Sequence, residues 1–260
     1  MAKILRILSW NVNGIRAAAK KGFSEWLTRD RPDIVCIQET KVMPGQLSEE
    51  LIHLSGYDSH WHGAAVKKGY SGVAVYTKEK PVKVETSMGI KRFDEEGRFL
   101  RLDFPDFTLL NVYFPNGKKN DERLQFKMDF CDTFLAYIED LRKEVPKLIF
   151  LGDVNTAHQE IDLARPKENS TVSGFLPVER EWIDKVVSHG YVDTFRHFHP
   201  DEIRYSWWDL KSRARERNVG WRIDYVFVSR EMLPSVKKAF ILGEIMGSDH
   251  CPVGIEIETS

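Results

Sequence analysis

The sequence is poor in cysteine, balanced in charge and free of long apolar runs. Its three cysteines, Cys36, Cys131 and Cys251, are widely spaced and form no CxxC pair. This pattern excludes a disulfide framework and a zinc knuckle, and it is typical of proteins from a reducing compartment. No stretch approaches the about 20 apolar residues that a membrane-spanning helix needs, and a strand-like run begins within three residues of Met1. We therefore expect a cytoplasmic protein without a targeting segment or membrane contact.

Neither sign of charge is in excess, since 38 Lys and Arg residues face 39 Asp and Glu residues. A polyanionic partner would have to be bound by local clusters of basic side chains rather than by the overall field. The balance gives no reason to expect an oligomer, so the expectation is a monomer. With 260 residues, 42% of them hydrophobic, and no linker-like stretch, the chain is interpreted as one domain over residues 1–260.

Short apolar runs predict most of the regular structure. The predicted strands are residues 4–11, 33–37, 71–76, 98–103, 107–113, 148–151, 223–228 and 252–258. Three- and four-residue periods predict a helix over residues 120–144 and a second that begins at Pro177 and ends just before Gly190, and a short helix ends before Pro32. Strands and helices alternate only loosely, and several strands are close enough for hairpins. The pattern therefore predicts an α/β fold with mixed sheets and helices outside them.

Polar side chains border four of the predicted strands. They are Asn11 with Asn13, Glu39, Asp153 with Asn155, and Ser248 to His250 before the last strand. Residues at i and i+2 of an extended backbone face the same side, so Asp153 and Asn155 would share one pocket. Hard oxygen donors with few imidazoles suit Mg²⁺ or Mn²⁺ better than zinc. The alternative is that these residues are Asx-rich turns that merely end strands.

Two of these residues have competing interpretations. Glu39 follows a buried run directly, where a lone acid has little structural purpose, and it is the strongest candidate for a direct metal ligand. His250 could be a buried structural histidine, or its ring could be oriented for chemistry by the carboxylate of Asp224. The segments 7–13 and 150–155 both end in Val-Asn, which hints at two related halves, although two short matches also arise by chance.

Six motifs in a fixed order carry a family resemblance. They are Ser9-Trp10-Asn11-Val12-Asn13-Gly14, Gln38-Glu39-Thr40-Lys41, Asn111-Val112-Tyr113-Phe114-Pro115-Asn116, Gly152-Asp153-Val154-Asn155-Thr156-Ala157-His158, Asn218-Val219-Gly220-Trp221-Arg222-Ile223-Asp224-Tyr225 and Gly247-Ser248-Asp249-His250-Cys251-Pro252. From Ile7 to Ile257 the chain resembles the exonuclease III family of apurinic/apyrimidinic endonucleases, within the endonuclease/exonuclease/phosphatase superfamily. The resemblance implies a four-layer αββα sandwich, in which two mixed sheets pack face to face between helices.

The resemblance also implies a metal site that takes Mg²⁺, with Mn²⁺ as a substitute. Glu39 would bind the ion, with Asn11 and Asp249 as ligands or as supports of the ligands. Asp153 and Asn155 belong to the same implied set. Asp153 would also position and deprotonate the attacking water, while Asn155 would hold that water or the scissile phosphate. Asn13 is not counted as a ligand, because some family members have an acid at its position.

Further catalytic roles are implied for three residues around the phosphate. His250, paired with Asp224, would contact a non-bridging oxygen and stabilise the pentavalent transition state. An alternative assignment makes His250 the general base. Tyr113 would contact the phosphate or help to release the leaving oxygen.

Substrate recognition is implied for a second group of residues. Phe175, Trp207 and Trp221 would form the apolar wall of a pocket for a flipped-out abasic sugar, and Arg165 belongs to the loop that lines this pocket. Asn116, Lys118 and Arg217 would contact the DNA backbone. Taken alone, adjacent tryptophans such as Trp207 and Trp208 are more often core residues. A basic run such as the one that ends at Arg217 is more often a solvated face. Many family members have Phe in place of Trp207, so the range of accepted lesions is open.

The implied activity is Mg²⁺-dependent incision of double-stranded DNA that contains abasic or otherwise damaged sites. Cleavage would occur 5′ to the abasic site and leave a 3′-hydroxyl, with accompanying 3′→5′ exonuclease and 3′-end-cleaning activity. Two alternatives remain. One is a phosphodiesterase that acts on a lipid head group and shares Glu39, Asp153, Asn155 and His250; the other is a DNA-binding protein with an inactive metal site.

Overall fold

The computed structural model describes residues 2–259 and contains two six-stranded sheets. The strands are β1 (Lys3–Asn11), β2 (Ile34–Gln38), β3 (Asp58–His62), β4 (Val73–Thr77), β5 (Lys83–Glu85), β6 (Phe99–Asp103), β7 (Thr108–Val112), β8 (Leu148–Asp153), β9 (Tyr191–Asp193), β10 (Trp207–Trp208), β11 (Gly220–Trp221), β12 (Asp224–Ser229), β13 (Val236–Ile241) and β14 (Val253–Thr259). The helices are α1 (Ile15–Ala19), α2 (Phe23–Asp30), α3 (Glu49–Ile52), α4 (Lys91–Asp94), α5 (Asp121–Glu144), α6 (Pro166–Asn169), α7 (Pro177–Ser188) and α8 (Thr194–Phe198).

The two large sheets follow the same plan. The first has the order β13-β14-β1-β2-β4-β3, and the second, read from its opposite edge, has the order β9-β12-β8-β7-β6-β5. In each sheet the third and fourth strands are parallel, and all other neighbours are antiparallel. The strands β1 and β8 therefore occupy equivalent central positions, and their ends carry Asn11 and Asp153.

Three hydrophobic layers hold the sandwich together. The central layer lies between the sheets and includes Ile7 of β1, Leu151 of β8 and Ile255 of β14. On one outer side, α5 and α7 cover β7, β8 and β12; on the other, α1 and α2 cover β1, β2 and β4. The predicted four-layer αββα architecture is confirmed. Among residues 2–259, no helix is both long enough and apolar enough to cross a membrane.

The two long predicted helices begin and end at recognisable signals. The side chain of Asn120 caps α5 by accepting from the Arg123 backbone N–H, 2.9 Å away, and acidic residues fill the first turn. Helix α7 starts at Pro177, where a missing N–H costs nothing, and it ends before Gly190, which has a φ of +89°. Both helices pack against the outer face of the second sheet.

The structure corrects several predicted boundaries and adds strands that the pattern missed. Residues 71 and 72 lie in a turn with positive φ, so β4 starts at Val73 rather than at Ser71. The unpredicted strands are β3, β5, β9, β10, β11 and β13. Strand β3 reads Asp-Ser-His-Trp-His and lies at an edge, half-buried, so it has no apolar run to detect.

Candidate active site

The predicted site residues meet at one end of the sandwich, where strands from both sheets converge. Asp224, at the start of β12, is the direct cross-strand partner of Asp153, at the end of β8. A cavity of about 270 Å³ opens at this point. It is lined by Asn13, Glu39, Tyr113, Asn116, Lys118, Asp153, Asn155, Gly174, Trp207, Trp221, Ile223, Asp249 and His250.

Unusual backbone geometry aims the side chains at this cavity. Asn13, Glu39 and Asn155 each follow a central strand and have φ values of +47°, +51° and +56°. Non-glycine residues pay for this left-handed conformation, and they keep it only where the surroundings fix it. Gly152 has a φ of +142°, and a Cβ there would lie 1.8 Å from the Val112 carbonyl oxygen. Only glycine allows β8 to approach β7 so closely one residue before Asp153.

Asn11 connects the two halves of the site. Its side-chain N–H₂ donates to Glu39 Oε1 and to Asp153 Oδ2, both at 2.9 Å. Its side-chain oxygen accepts from the Asn13 backbone N–H at 3.0 Å. Asn11 therefore presents nitrogen, not oxygen, to the two carboxylates, and it holds them next to each other.

Glu39 is kept ionised by a ring of donors. Its Oε1 accepts from Asn11 and from the Tyr113 hydroxyl at 2.8 Å, and its Oε2 lies 2.8 Å from Lys41 Nζ. Burial opposes the charge, but the Lys41 ammonium and these donors together lower the pKa of Glu39 below its usual value. Tyr113 stays protonated, because burial and the Glu39 charge raise its pKa well above the usual value.

Asp153 has the opposite balance. Burial raises the pKa of its carboxyl to about 7; His250 opposes this shift, and the charges of Asp224 and Glu39 support it. Asp153 Oδ1 accepts from the Asn155 backbone N–H at 2.8 Å, which fixes the carboxylate plane. A carboxylate with a pKa near neutrality can accept and release a proton at physiological pH.

His250 and Asp224 form a buried pair beside Asp153. His250 Nδ1 lies 2.8 Å from Asp224 Oδ2, which also accepts from the Ser206 hydroxyl at 2.6 Å. The other ring nitrogen, Nε2, lies 3.9 Å from Asp153 Oδ2. Burial disfavours the charged ring, but Asp224 and Asp153 raise the pKa of His250 to about 10. The ring is therefore an imidazolium that can donate from both nitrogens.

Asp249 lies on the side of the cavity that faces Asn13. Its Oδ1 accepts from Asn13 Nδ2 at 2.9 Å, and its Oδ2 accepts from Trp207 Nε1 at 3.2 Å. Burial opposes its charge, but His250 and these donors lower the pKa of Asp249. Asn13 also accepts from Lys41 Nζ, so a chain of polar contacts runs from Glu39 through Lys41 and Asn13 to Asp249.

Asn155 is held rigidly on the opposite side of the cavity. Its N–H₂ donates to the Phe114 carbonyl at 3.0 Å and to Asp153 Oδ2 at 3.2 Å. Its oxygen accepts from Asn116 Nδ2 at 2.8 Å. Beneath it, the buried ammonium of Lys127 donates to the Asn155 carbonyl and pairs with the buried Glu179 at 2.6 Å. The position of Asn155 is therefore fixed from both its side chain and its backbone.

Aromatic rings form the remaining wall. Trp207 and Trp221 meet edge to face at 6.3 Å, and Phe175 packs behind Trp221 at 6.5 Å. Lys118 Nζ lies over both tryptophan rings, 5.0 Å from the centre of Trp207 and 5.4 Å from that of Trp221. The cavity thus has an apolar wall of tryptophan rings on one side and the charged groups of Glu39, Asp153 and His250 on the other.

The donor set fits a hard divalent cation. The Glu39 and Asp153 carboxylates point at the same Asn11 amide, and Asp249 faces the same cavity. Potential ligand atoms of Asp153, Asp224 and His250 also lie within 4.8 Å of one another. In that group, however, Asp224 Oδ2 and His250 Nδ1 bond to each other, which is the arrangement of a proton-handling pair.

Comparison with known proteins identifies the family. The model of the Endonuclease/Exonuclease/phosphatase family matches residues 8–250. The chain belongs to this family. It is 43% identical over 255 residues to an exodeoxyribonuclease of Bacillus subtilis, with 97% of this chain and 99% of the relative covered. It is 40% identical over 251 residues to the DNA repair nuclease APEX1 of Danio rerio, covering 96% of this chain and 81% of the relative.

Solved structures of the family agree in fold. The AP endonuclease LMAP from Leishmania major superposes with a TM-score of 0.89 at 29% identity, covering 99% of this chain and 89% of that one. An AP endonuclease from Archaeoglobus fulgidus superposes with a TM-score of 0.86 at 30% identity, covering 96% and 98%. The resemblance to exonuclease III-type enzymes is confirmed.

The family fold brings most of the sequence-predicted site residues together, but three of the predicted substrate-binding residues do not line the cavity. Arg165 is exposed outside the cavity, and its nearest acidic partner is Glu168 at 3.7 Å. Arg217 is also exposed and donates to the Ser212 carbonyl at 3.0 Å. Phe175 does not line the cavity itself but packs behind Trp221. The roles of all these residues in binding remain predictions.

Sequence reasoning missed three supporting residues of the family site. Lys41 neutralises Glu39, Ser206 holds Asp224, and Arg98 lies buried with its guanidinium 4.6 Å from the Tyr113 ring centre. Lys41 belongs to a motif that was recognised, so its spacing from Glu39 was a usable signal. Ser206 and Arg98 lie at the site because of tertiary contacts, and no motif in the sequence around them predicts this position.

Proposed function

We propose that this chain is a Mg²⁺-dependent DNA repair nuclease that hydrolyses the phosphodiester 5′ to abasic sites and leaves a 3′-hydroxyl. A 3′→5′ exonuclease and 3′-end-cleaning activity accompanies the incision. The observation that carries the proposal is the continuous line of contacts Asp224–His250–Asp153–Asn11–Glu39 in one cavity. It joins a cation site, a titratable carboxylate and an imidazolium around a cavity of about 270 Å³.

The proposed reaction is in-line displacement at phosphorus by water. Glu39, with Asp153 and Asp249 close by, would hold a Mg²⁺ ion, which would supply positive charge next to the phosphate. Asp153 accepts the proton of the attacking water, which its pKa of about 7 permits at neutral pH. His250 Nε2–H donates to a phosphate oxygen as charge develops there, while Asp224 retains the other ring proton.

Tyr113 and the two asparagines orient the reacting groups. The Tyr113 hydroxyl donates to Glu39, and its raised pKa keeps it protonated, so that it can act as a hydrogen-bond donor to the phosphate or the leaving oxygen. Asn155 and Asn116 form one hydrogen-bonded pair at the cavity wall. The N–H₂ of Asn155 already donates to the Phe114 carbonyl and to Asp153. The remaining N–H of Asn116 is therefore the donor for a phosphate, and its fixed position avoids the entropy cost of ordering it.

The size and character of the cavity support an abasic substrate. About 270 Å³ lies between the catalytic floor and the rings of Trp207 and Trp221. A deoxyribose without its base fits such a space, whereas an intact nucleotide is larger. The named relatives include an exodeoxyribonuclease and a DNA repair nuclease, which supports DNA as the polymer. A single catalytic domain acting as a cytoplasmic monomer completes the proposal; the three buried free cysteines fit that compartment.

The test is incision of a labelled duplex that contains one tetrahydrofuran analogue of an abasic site. We expect a nick on its 5′ side with Mg²⁺ and none with EDTA. A parallel duplex with uracil at the same position measures whether the tryptophan wall admits an intact nucleotide. Hydrolysis of inositol phosphates without cleavage of either duplex would replace the proposal with the lipid head-group phosphodiesterase, and tight binding without any incision would indicate a DNA-binding protein with an inactive metal site.

A further inference from the structure

Lys118 projects an amine into the cavity from a rigid loop. Its backbone N–H donates to Asn116 Oδ1 at 2.9 Å, and Asn116 in turn donates to Asn155 at 2.8 Å. Gly117 packs so closely that a Cβ there would lie 2.7 Å from Ser173 Oγ. The loop is therefore anchored on both sides, and the place of Lys118 beside the catalytic asparagine is fixed.

The end of the Lys118 side chain lies beside the apolar wall to which the proposed function assigns the abasic sugar. Its Nζ lies 5.0 Å and 5.4 Å from the ring centres of Trp207 and Trp221, the two tryptophans of the apolar wall. Among the described residues that line this cavity, Lys118 supplies the one amine; the other ionisable groups are carboxyls, a phenol and an imidazole.

The surroundings shift the pKa of this amine below its ordinary value. Desolvation against the cavity wall lowers the pKa of Lys118, and the positive charge of Lys127 lowers it further. A lysine that is partly desolvated near another cation is the usual source of a nucleophilic amine in proteins. An abasic deoxyribose, unlike an intact nucleotide, exposes an aldehyde when its ring opens.

We propose that Lys118 forms a reversible imine with the C1′ aldehyde of an abasic sugar held in the cavity. This inference rests on the proposed function, because it needs an abasic substrate. The lysine nitrogen attacks the carbonyl carbon and forms the C–N bond, and the carbonyl oxygen leaves as water with the two amine hydrogens. No metal, oxidant or reductant takes part. The site would thus have a second, metal-independent chemistry that captures the lesion covalently.

Reductive trapping tests the imine directly. The protein is incubated in EDTA with a duplex containing a natural abasic site, and sodium borohydride then reduces any imine to a stable amine. We expect a covalent protein–DNA adduct with the aldehyde-containing duplex and none with the tetrahydrofuran analogue, which has no aldehyde. Peptide mapping of the adduct should identify Lys118 as the modified residue.

Two arginine variants separate nucleophilicity from charge. Lys118→Arg keeps a cation over the tryptophans but has no amine that forms an imine, so adduct per bound duplex should fall at least about tenfold. Lys119→Arg, the matched control one residue away, should keep its adduct yield. Thermal unfolding of each variant verifies that it is folded. If Lys118→Arg does not fold, peptide mapping of the adduct formed by the wild-type protein decides whether Lys118 is the modified residue.

Three outcomes would overturn the inference. They are no adduct with the natural abasic duplex, an adduct that survives in Lys118→Arg, and modification mapped to another lysine. Any of them would leave Lys118 as a simple contact for the DNA backbone. The proposed function is judged separately, because Mg²⁺-dependent incision of the tetrahydrofuran duplex requires no aldehyde.

Discussion

The first sheet delivers Glu39 into a ring of donors, whereas the second sheet buries Asp153 beside two other acidic groups. Both carboxylates follow from the same strand plan and both touch Asn11. Yet the pKa of Glu39 is lowered although burial opposes its charge, while burial raises that of Asp153 to about 7. The deciding difference is Lys41, which lies 2.8 Å from Glu39, whereas the imidazolium that faces Asp153 is shared with Asp224.

The two carboxylates are therefore suited to different roles. A carboxylate with a lowered pKa suits a cation, and a carboxylate with a pKa near neutrality suits proton transfer. Two nearly equivalent strand ends have therefore acquired different electrostatics through their neighbours rather than through their own chemistry. The following variants test this difference between Glu39 and Asp153, first at the two carboxylates and then at their neighbours.

Asp153→Asn should have the largest effect, because it removes the proton acceptor while preserving the size of the side chain. We expect Mg²⁺-dependent incision to fall by about 1,000-fold. Duplex binding should survive, because the contacts of Asn116 and Trp207 are untouched. Single-turnover incision and equilibrium binding measure the two quantities, and a variant that keeps a tenth of its incision rate would contradict the assignment of Asp153.

Glu39→Gln should act on the other half of the site. The loss of its charge weakens cation binding, so incision at low Mg²⁺ should fall by about 100-fold and recover partly as Mg²⁺ or Mn²⁺ is raised. Calorimetric titration of Mg²⁺ measures the affinity independently of activity. Glu85→Gln, on the edge strand β5, is the matched control, and equal cation affinity in the two variants would refute a role for Glu39.

The pH dependence of stability in the metal-free protein tests the charge of His250 beside Asp224 and Asp153. The pKa of His250 is raised from an ordinary value of 6.5 to about 10 in the folded state. Its contribution is therefore fully present below pH 6.5 and is lost as the pH rises through 10. We expect the free energy of unfolding to fall over this window by an amount on the order of a few kcal/mol. In His250→Gln this pH-dependent part of the free energy of unfolding should be missing. Urea titrations at a series of pH values measure it. If the free energy of unfolding changes with pH in the same way in the variant and the wild-type protein, His250 is not charged in the folded state.

Trp207→Phe should have the smallest effect, because it removes one hydrogen bond and keeps most of the ring. The lost donor to Asp249 should raise KM for an abasic duplex about threefold to tenfold and leave kcat within about twofold. Steady-state kinetics on abasic and uracil duplexes test this. If the smaller ring widens the cavity, incision of the uracil duplex should rise in the same variant.

The sequence predicted the central parts of this arrangement better than its periphery. The buried strands β1, β2, β8 and β12 have apolar runs that end in polar residues, and the strand pattern therefore located Asn11, Glu39, Asp153 and Asp224. Edge strands such as β3 and β5 are short and polar, because only one side of each is covered, and no period marks them.

The ionisation states of the site residues could not be predicted from the local sequence, for a physical reason. Whether Glu39 or Asp153 is ionised depends on Lys41, His250 and the depth of burial, which are properties of the folded arrangement. Arg98, stacked on Tyr113, lies 15 residues away from it in sequence. The predicted contacts of Arg165 and Arg217 remain predictions, since both side chains extend into solvent outside the cavity.

The pairing of β1 with β14 has a consequence for how the protein acquires its function. Strand β1, residues 3–11, lies between β2 and β14, and its register joins Lys3 to Thr259. During synthesis the strand that carries Asn11 must wait for residues 253–259 before its sheet can close, and contacts of such long sequence separation form late. A chain that lacks residues 253–259 therefore has no antiparallel partner for residues 3–9, and the strand that carries Asn11 is left with β2 as its one neighbour in the sheet.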